Sequence, residues 1–183
     1  MLENQKRSKL FSFALKAQEN FGKLAGIAIL WSIWALTFSS YELIFIAKVL
    51  ISITAFGLGI IAPLIDFNES HASNPLWTGH ARYHLVWQVC ALAATGYFVV
   101  FLLWIAPSFS NLLIAITLVF IWLISFWIAL LSMSLYGGKL NDVNGVPPVH
   151  IKLLGKSYEL DRNVQGISGS TLLTTIAAVL VFI

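Results

Sequence analysis

Three of the four histidines of this 183-residue chain lie in one polar segment, residues 66–88, which reads DFNESHASNPLWTGHARYHLVWQ. His80 and His84 are four residues apart, so on a helix both imidazoles project from the same face. Imidazoles at this spacing can share a metal ion, although the spacing alone is a weak indication. Imidazole and carboxylate ligands favour zinc or iron over magnesium. The remaining ligands of such a site would be Glu69 and His71, with Asp66 and His150 as alternates.

The same segment could also act without a metal, as an acid–base pocket. His80, His84 and Glu69 are the predicted catalytic groups, because imidazole and carboxylate side chains are common general acids and bases. Arg82 would hold an anionic group of the ligand, and Trp77 would line its apolar entry. The third interpretation is purely structural, with these residues as polar and aromatic anchors at helix ends. The other predicted substrate-binding residues are Asn74, Gln88, Asp142 and Asn144.

The rest of the chain is too apolar for a soluble domain. Hydrophobic residues make up 58% of it and charged residues 10%, and the mean hydropathy is +0.84. Continuous uncharged runs are typical of membrane-spanning helices, whereas a membrane β-barrel would show alternating segments of about ten residues. We therefore predict an all-α protein, a polytopic transmembrane helical bundle in the cell (inner) membrane, in contact with membrane lipids.

The apolar runs delimit the predicted spans. Residues 1–23 are predicted as a basic amphipathic N-terminal segment, and residues 24–183 as a single transmembrane domain. Two polar loops, residues 65–81 and 136–163, interrupt the spans. Alternation around Gly155 in the second loop predicts a small β-hairpin that caps the bundle outside the membrane. Four core spans and an N-terminal fifth are predicted at about residues 24–38, 43–64, 82–106, 112–135 and 165–183.

The charges indicate partners and orientation. The formal net charge is +3, but the basic residues lie at the ends of apolar runs without a basic stripe, so we expect no nucleic-acid partner. Two spans separate the two polar loops, which must therefore share one side of the membrane. That side is the cytoplasmic one with five spans and a cytoplasmic N-terminus, and the outer one if residues 24–38 do not cross and the spans are four. Small residues at Gly166, Gly169 and Ser170 would allow a close helix contact and would suit a homodimer.

Several motifs in order resemble those of a known family. The segments DFNESH, NPLWTGHARYH and YGGKLNDVNG are similar to D-x-N-E-[ST]-H, N-P-x-W-x-x-H-A-R-[FY]-H and Y-G-G-x-L-x-D-x-N-G, which link four hydrophobic spans in a family of small uncharacterised bacterial integral membrane proteins, a domain of unknown function. The similarity covers about Leu43 to the C-terminus, and residues 1–40 would be an added piece. The resemblance implies architecture and names no activity. It marks as signature positions Asp66, Asn68, Glu69, His71, Asn74, Trp77, His80, Arg82, His84, Asp142 and Asn144.

These features predict a small integral membrane protein with a polar His/carboxylate pocket at the membrane interface. The first interpretation is a metal-dependent enzyme acting on a lipid or another hydrophobic small molecule that enters from the bilayer. The alternative is a non-catalytic or accessory membrane protein that binds lipid, quinone or haem. Haem would require His80 or His84 to be buried in apolar surroundings. The pocket requires the two histidines and the acidic residues upstream to converge on one point.

Overall fold

The computed structural model describes residues 8–142, 144–153 and 155–183. Within these residues, five helical stretches are long and apolar enough to cross a membrane. This confirms the predicted all-α transmembrane bundle with a fifth, N-terminal span. The helices are α1 (Lys9–Phe38), α2 (Leu43–Phe56), α3 (Ala62–Asp66), α4 (Gly79–Trp104), α5 (Phe109–Leu131), α6 (Met133–Tyr136) and α7 (Arg162–Phe182), with α2 and α3 forming one span through a π-helical turn at Gly57–Ile61.

α1 is one continuous helix of 30 residues. The basic segment and the first apolar run, predicted as two parts, are therefore one element where the structure describes them, and residues 1–7 of that segment lie outside the described residues. Phe11 and Ala14 are buried in a cluster with Ile65 and Val146. The first turns of α1 thus pack beneath both polar loops, because their apolar side chains find a partner there.

The helices pack closely where small or hydroxylated residues face each other. In α7, Thr174 Oγ1 donates to the carbonyl of Ser170 (2.8 Å) and lies 3.4 Å from Thr54 Oγ1 of α2. All three residues are buried. A Cβ atom on Gly169 would lie 3.7 Å from the Ala25 side chain of α1. The small residues of α7 therefore pack against α1 and α2 within the chain.

The π-helical turn lies where the second span meets α4. The N–H of Ala62 donates to the carbonyl of Gly57, five residues back. Pro63 has no N–H to donate one turn back, which fits a locally widened helix. A Cβ atom on Gly96 of α4 would lie 2.7 Å from the Gly59 nitrogen and 2.7 Å from the Ala55 oxygen. The two backbones touch here, and only glycine fits at position 96.

The second polar loop contains the predicted hairpin. Strands β1 (Val149–Leu153) and β2 (Lys156–Leu160) pair antiparallel, and Gly155 between them has a φ of 78°. Asp161 then begins α7, since its Oδ1 accepts from the N–H groups of Asn163 (2.8 Å) and Val164 (3.1 Å). The hairpin and this cap position the end of the loop beside the start of α7.

Candidate functional site

The two polar loops lock together through a pair of amides. Asn74 Nδ2 donates to Asn144 Oδ1 (3.2 Å), and Asn144 Nδ2 donates to Asn74 Oδ1 (2.9 Å). Trp77 Nε1 adds a hydrogen bond to Asp142 Oδ2 (3.1 Å). The loops therefore lie on one side of the membrane, as their separation by two spans predicted.

A cavity of about 220 Å³ lies between the locked loops. Three described elements line it: the loop before α4, the loop before the hairpin, and the start of α7. Its polar lining residues are Ser70, His71, Trp77, Lys139, Asp142 and Asn163.

Asn68 organises the floor of this site. Its Nδ2 donates to the carbonyls of Leu64 (2.9 Å) and Ile65 (2.8 Å), which are among the last carbonyls of α3 and lack a helical partner. This fixes the amide so that Oδ1 is the acceptor, and it accepts from both the backbone N–H (2.9 Å) and the hydroxyl (2.8 Å) of Ser70. Asn68 and Ser70 are both buried, so the Ser70 hydroxyl bonds to protein groups of this site.

The orientation of Ser70 assigns the tautomer of His71. The two atoms Ser70 Oγ and His71 Nδ1 are 2.8 Å apart. The hydroxyl can donate its hydrogen to Asn68 Oδ1 at 2.8 Å or to the Ile65 carbonyl at 3.1 Å, and with either bond its oxygen accepts from the ring. The nearest Asp66 oxygen, another acceptor, lies 3.5 Å from the same nitrogen. We therefore assign the proton of the neutral ring to Nδ1, which leaves Nε2 with its lone pair.

The surroundings of His71 favour its neutral form. Burial lowers the pKa of the imidazole below its usual value, and the Ile65 carbonyl and the charge of Asp142 oppose this shift in part. The ring of Trp77 packs edge-on against the imidazole, with 5.4 Å between centroids. A neutral imidazole with a free Nε2 is the form that acts as a general base.

Glu69, predicted as a catalytic and metal-binding residue, holds the start of α1. Its carboxylate accepts from the backbone N–H of Ser8 (2.7 Å) and from the Ser8 hydroxyl (2.8 Å). The Ser8 hydroxyl in turn accepts from the N–H of Phe11 (3.1 Å) and caps the helix. The start of α1 and the first polar loop therefore lie on the same side of the membrane, which agrees with five spans.

His80 and His84 lie on an exposed face of α4. Their Nε2 atoms are 3.0 Å apart, and neither residue lines the cavity between the loops. Among the described residues, no three His, Cys, Asp or Glu side chains come together in a way that could hold a metal ion. The structure thus does not assemble the predicted set of His71, Glu69, His80 and His84. The physical reason is that α4 begins at Gly79, after the loop, and its two histidines lie on an exposed face outside the cavity.

The remaining predicted residues divide between the cavity and the surface. Arg82 is half-buried and Gln88 is exposed, both on α4. His150 is exposed in β1, and its Nδ1 lies 3.7 Å from the Glu159 carboxylate of β2, away from the cavity. Both histidines of α4 are exposed, so neither meets the burial that a haem ligand would need.

Sequence reasoning missed three polar residues of the cavity, Ser70, Lys139 and Asn163. Ser70 had a signal, because it precedes His71 in the DFNESH motif. Lys139 likewise lies in the YGGKLNDVNG motif, three residues before Asp142. Asn163 had no such signal, since only the closure of the second loop brings it to the first.

The fold and the site define a multi-pass helical membrane protein whose two polar loops enclose a histidine-containing cavity at one end of the bundle. Comparison with protein-family models, with curated proteins and with solved structures found no match to this chain. The family resemblance of the chain's motifs therefore stays a prediction.

Proposed function

We propose that this protein is an enzyme of the cell (inner) membrane in which His71 is the general base acting on the polar head of an amphiphile, a lipid or another hydrophobic small molecule. The observation that carries this proposal is the contact of 2.8 Å between Ser70 Oγ and His71 Nδ1. With the ring proton on Nδ1, facing Ser70, Nε2 is the basic nitrogen. On the charge distribution of the loops, the site faces the cytoplasm.

The cavity supplies both signs of charge to the head of the ligand. Lys139 and Asp142 line it together with His71, so that a head group with acceptor oxygens and donor groups would find partners. The Asp142 carboxylate is oriented by the Trp77 indole. Small-molecule sites in proteins typically place a few polar groups in a mainly apolar setting, and those groups fix the orientation of the ligand. The polar groups of this cavity fit that description.

An apolar groove beside the same segment supports an amphiphilic ligand. It has a volume of about 290 Å³ and is lined by residues of the second span, α1 and α4. Phe67, which lines it, directly follows Asp66, the residue next to His71 in the site. The lining residues include Leu10, Pro63, Leu64, Phe67 and Tyr97. Such a groove suits the apolar tail of a molecule whose head occupies the polar cavity.

The reaction that these groups support best is hydrolysis of an ester bond in the head region. Nε2 of His71 removes a proton from water while the water oxygen attacks the ester, and the proton then passes from Nε2 to the leaving oxygen. The positive charge on the ring in between is stabilised at Nδ1 by Ser70 and by the carboxyl group of Asp66. The Lys139 ammonium stabilises the negative charge that develops on the ester oxygen.

The test uses purified protein in vesicles of phosphatidylethanolamine and phosphatidylglycerol, with products identified by mass spectrometry. We expect wild type to release a lyso-lipid or a free head group, and the His71→Gln variant to do so about 10²- to 10⁴-fold more slowly. His150→Gln is the matched control, because His150 is exposed in the hairpin. Equal rates for wild type and His71→Gln, or no product from either, would overturn the enzymatic proposal. Saturable lipid binding without turnover would favour the non-catalytic alternative.

A further inference from the structure

We propose that His80 and His84 form a chelating site for one divalent transition-metal ion on the exposed surface of α4, separate from the cavity around His71. The proposal is independent of the enzymatic one, because neither imidazole lines that cavity. Its basis is the position of the two Nε2 atoms, which lie 3.0 Å apart.

This separation is close to the one that an ion requires. Zinc–imidazole bonds are about 2.0 to 2.1 Å long, so two such ligands at tetrahedral angles have nitrogen atoms about 3.3 Å apart. The two rings would need to move apart by a few tenths of an ångström and to turn from their present edge-to-face arrangement, so that both Nε2 lone pairs point at the ion. At present the same two nitrogens share one hydrogen bond, and an ion would take the place of that shared proton.

The two rings share one helical element and have aromatic neighbours on it. α4 begins at Gly79 and is capped by Thr78, whose Oγ1 accepts from the N–H of Ala81 (3.2 Å), so both histidines lie in its first two turns. The ring of Tyr83 is 6.5 Å from that of His80 and 5.6 Å from that of His84. Trp87 lies 6.0 Å from His84 on the next turn. Ligands on a rigid element, supported by neighbouring rings, lose little freedom when they bind.

The ligand chemistry defines the class of ion. Two neutral imidazoles favour borderline ions such as zinc, copper or nickel over magnesium or calcium. In the part of the chain that the structure describes, no third side chain of metal-binding type joins them. The other coordination positions are therefore open to water or to an oxygen ligand from outside, such as a lipid head group at the depth of these first turns.

Zinc alone is the probe, titrated by calorimetry into the purified full-length protein in detergent micelles. We expect saturable binding in wild type, weakened by about 10- to 100-fold in His80→Ala and in His84→Ala. His150→Ala should bind zinc as wild type does, because it removes an exposed histidine outside the pair.

A spacing control keeps the number of histidines constant. The double variant His84→Ala, Gln88→His has imidazoles eight residues apart on the same helix, too far apart to chelate one ion. Because all three positions are exposed, these variants should fold, and circular dichroism checks this. No saturable binding by wild type, or undiminished binding by the spacing control, would overturn the proposal. A stoichiometry of one ion for two chains would also support the site. The other ligands would then come from a second copy of the chain.

Discussion

Asn74 and Asn144, 70 residues apart in the chain, donate a hydrogen bond each to the other's side-chain oxygen. Asn74 is fully buried, and it also donates to the carbonyl of Ser70 (2.9 Å) and accepts from the N–H of Leu76 (3.0 Å). Each polar atom of this amide is therefore engaged. This amide pair, which we call the lock, holds the second polar loop against the first. It thereby closes the cavity between the two loops.

Replacement of Asn74 should open this lock. In Asn74→Ala the Ser70 carbonyl, the Leu76 N–H and the Asn144 amide all lose a partner, and we expect a loss of about 3 kcal/mol in the free energy of unfolding. Asn144→Ala should cost about 1 kcal/mol, because it leaves the other bonds of Asn74 intact. Unfolding of the detergent-solubilised protein measures both. A double-mutant cycle with a coupling energy near zero would argue against the lock.

A second prediction concerns the glycine contact between α4 and the second span. Gly96→Ala places a Cβ atom 2.7 Å from the Ala55 oxygen and the Gly59 nitrogen, and backbone atoms cannot move aside cheaply. We expect a destabilisation of about 1 to 3 kcal/mol, measured as for Asn74. Gly22→Ala is the control, since a Cβ atom there meets nothing within 4 Å and alanine favours helix. If both variants unfolded alike, the close approach of the helices would be in question.

The stability of the protein should depend on pH through His71. Because burial lowers its pKa in the folded protein, the folded state binds the proton less readily than the unfolded chain, whose imidazole has a pKa of about 6.5. The contribution of His71 is present above that value and is lost as the pH falls through the lowered pKa. The difference in unfolding free energy between wild type and His71→Gln should therefore shrink from pH 7 to pH 5. Asp66 and Asp142 face this ring, so their charges are coupled to its protonation in wild type and not in His71→Gln. A difference that stays constant over this range would contradict the assignment.

Labelling of single cysteines tests the placement of the loops in the membrane. In a background with Cys90→Ala, we expect Ser73→Cys and Lys156→Cys to react from one side of the membrane and Ser110→Cys from the other. All three positions are exposed, and one span separates Ser110 from the first loop. A membrane-impermeant maleimide applied to sealed inside-out and right-side-out vesicles distinguishes the sides. Reaction of Ser73→Cys and Lys156→Cys from opposite sides would refute the shared loop site.

The helices could be predicted from the sequence better than the site, because long apolar runs mark the helices directly. The loop hairpin was also predictable, since Gly155 supplies the turn at a φ of 78°. The sequence does not decide where α4 starts, because Asn74 and Thr78 are both residue types that cap helices well. In the structure Thr78 caps the helix and Asn74 is buried against Asn144. This contact joins two loops that are distant in the chain, so local helix-capping propensity cannot predict it.

The positions of His80 and His84 also could not be predicted from local sequence. The spacing of His80 and His84 draws attention to them, but spacing does not say which face of a helix is covered. The buried residues of α4 include Val89, Gly96 and Val99, which lie on another side of the helix from the two histidines. α4 is apolar almost all round, so no periodicity in the sequence marks that covered face.

The most direct test of the account is nitrogen NMR of ¹⁵N-histidine-labelled protein at pH 7, with His71→Gln to assign the signal. Only four histidines contribute, and the shifts of the two ring nitrogens report which one carries the proton. The account predicts a neutral His71 with its proton on Nδ1 and a free, basic Nε2. A proton on Nε2, or a doubly protonated ring at this pH, would contradict it.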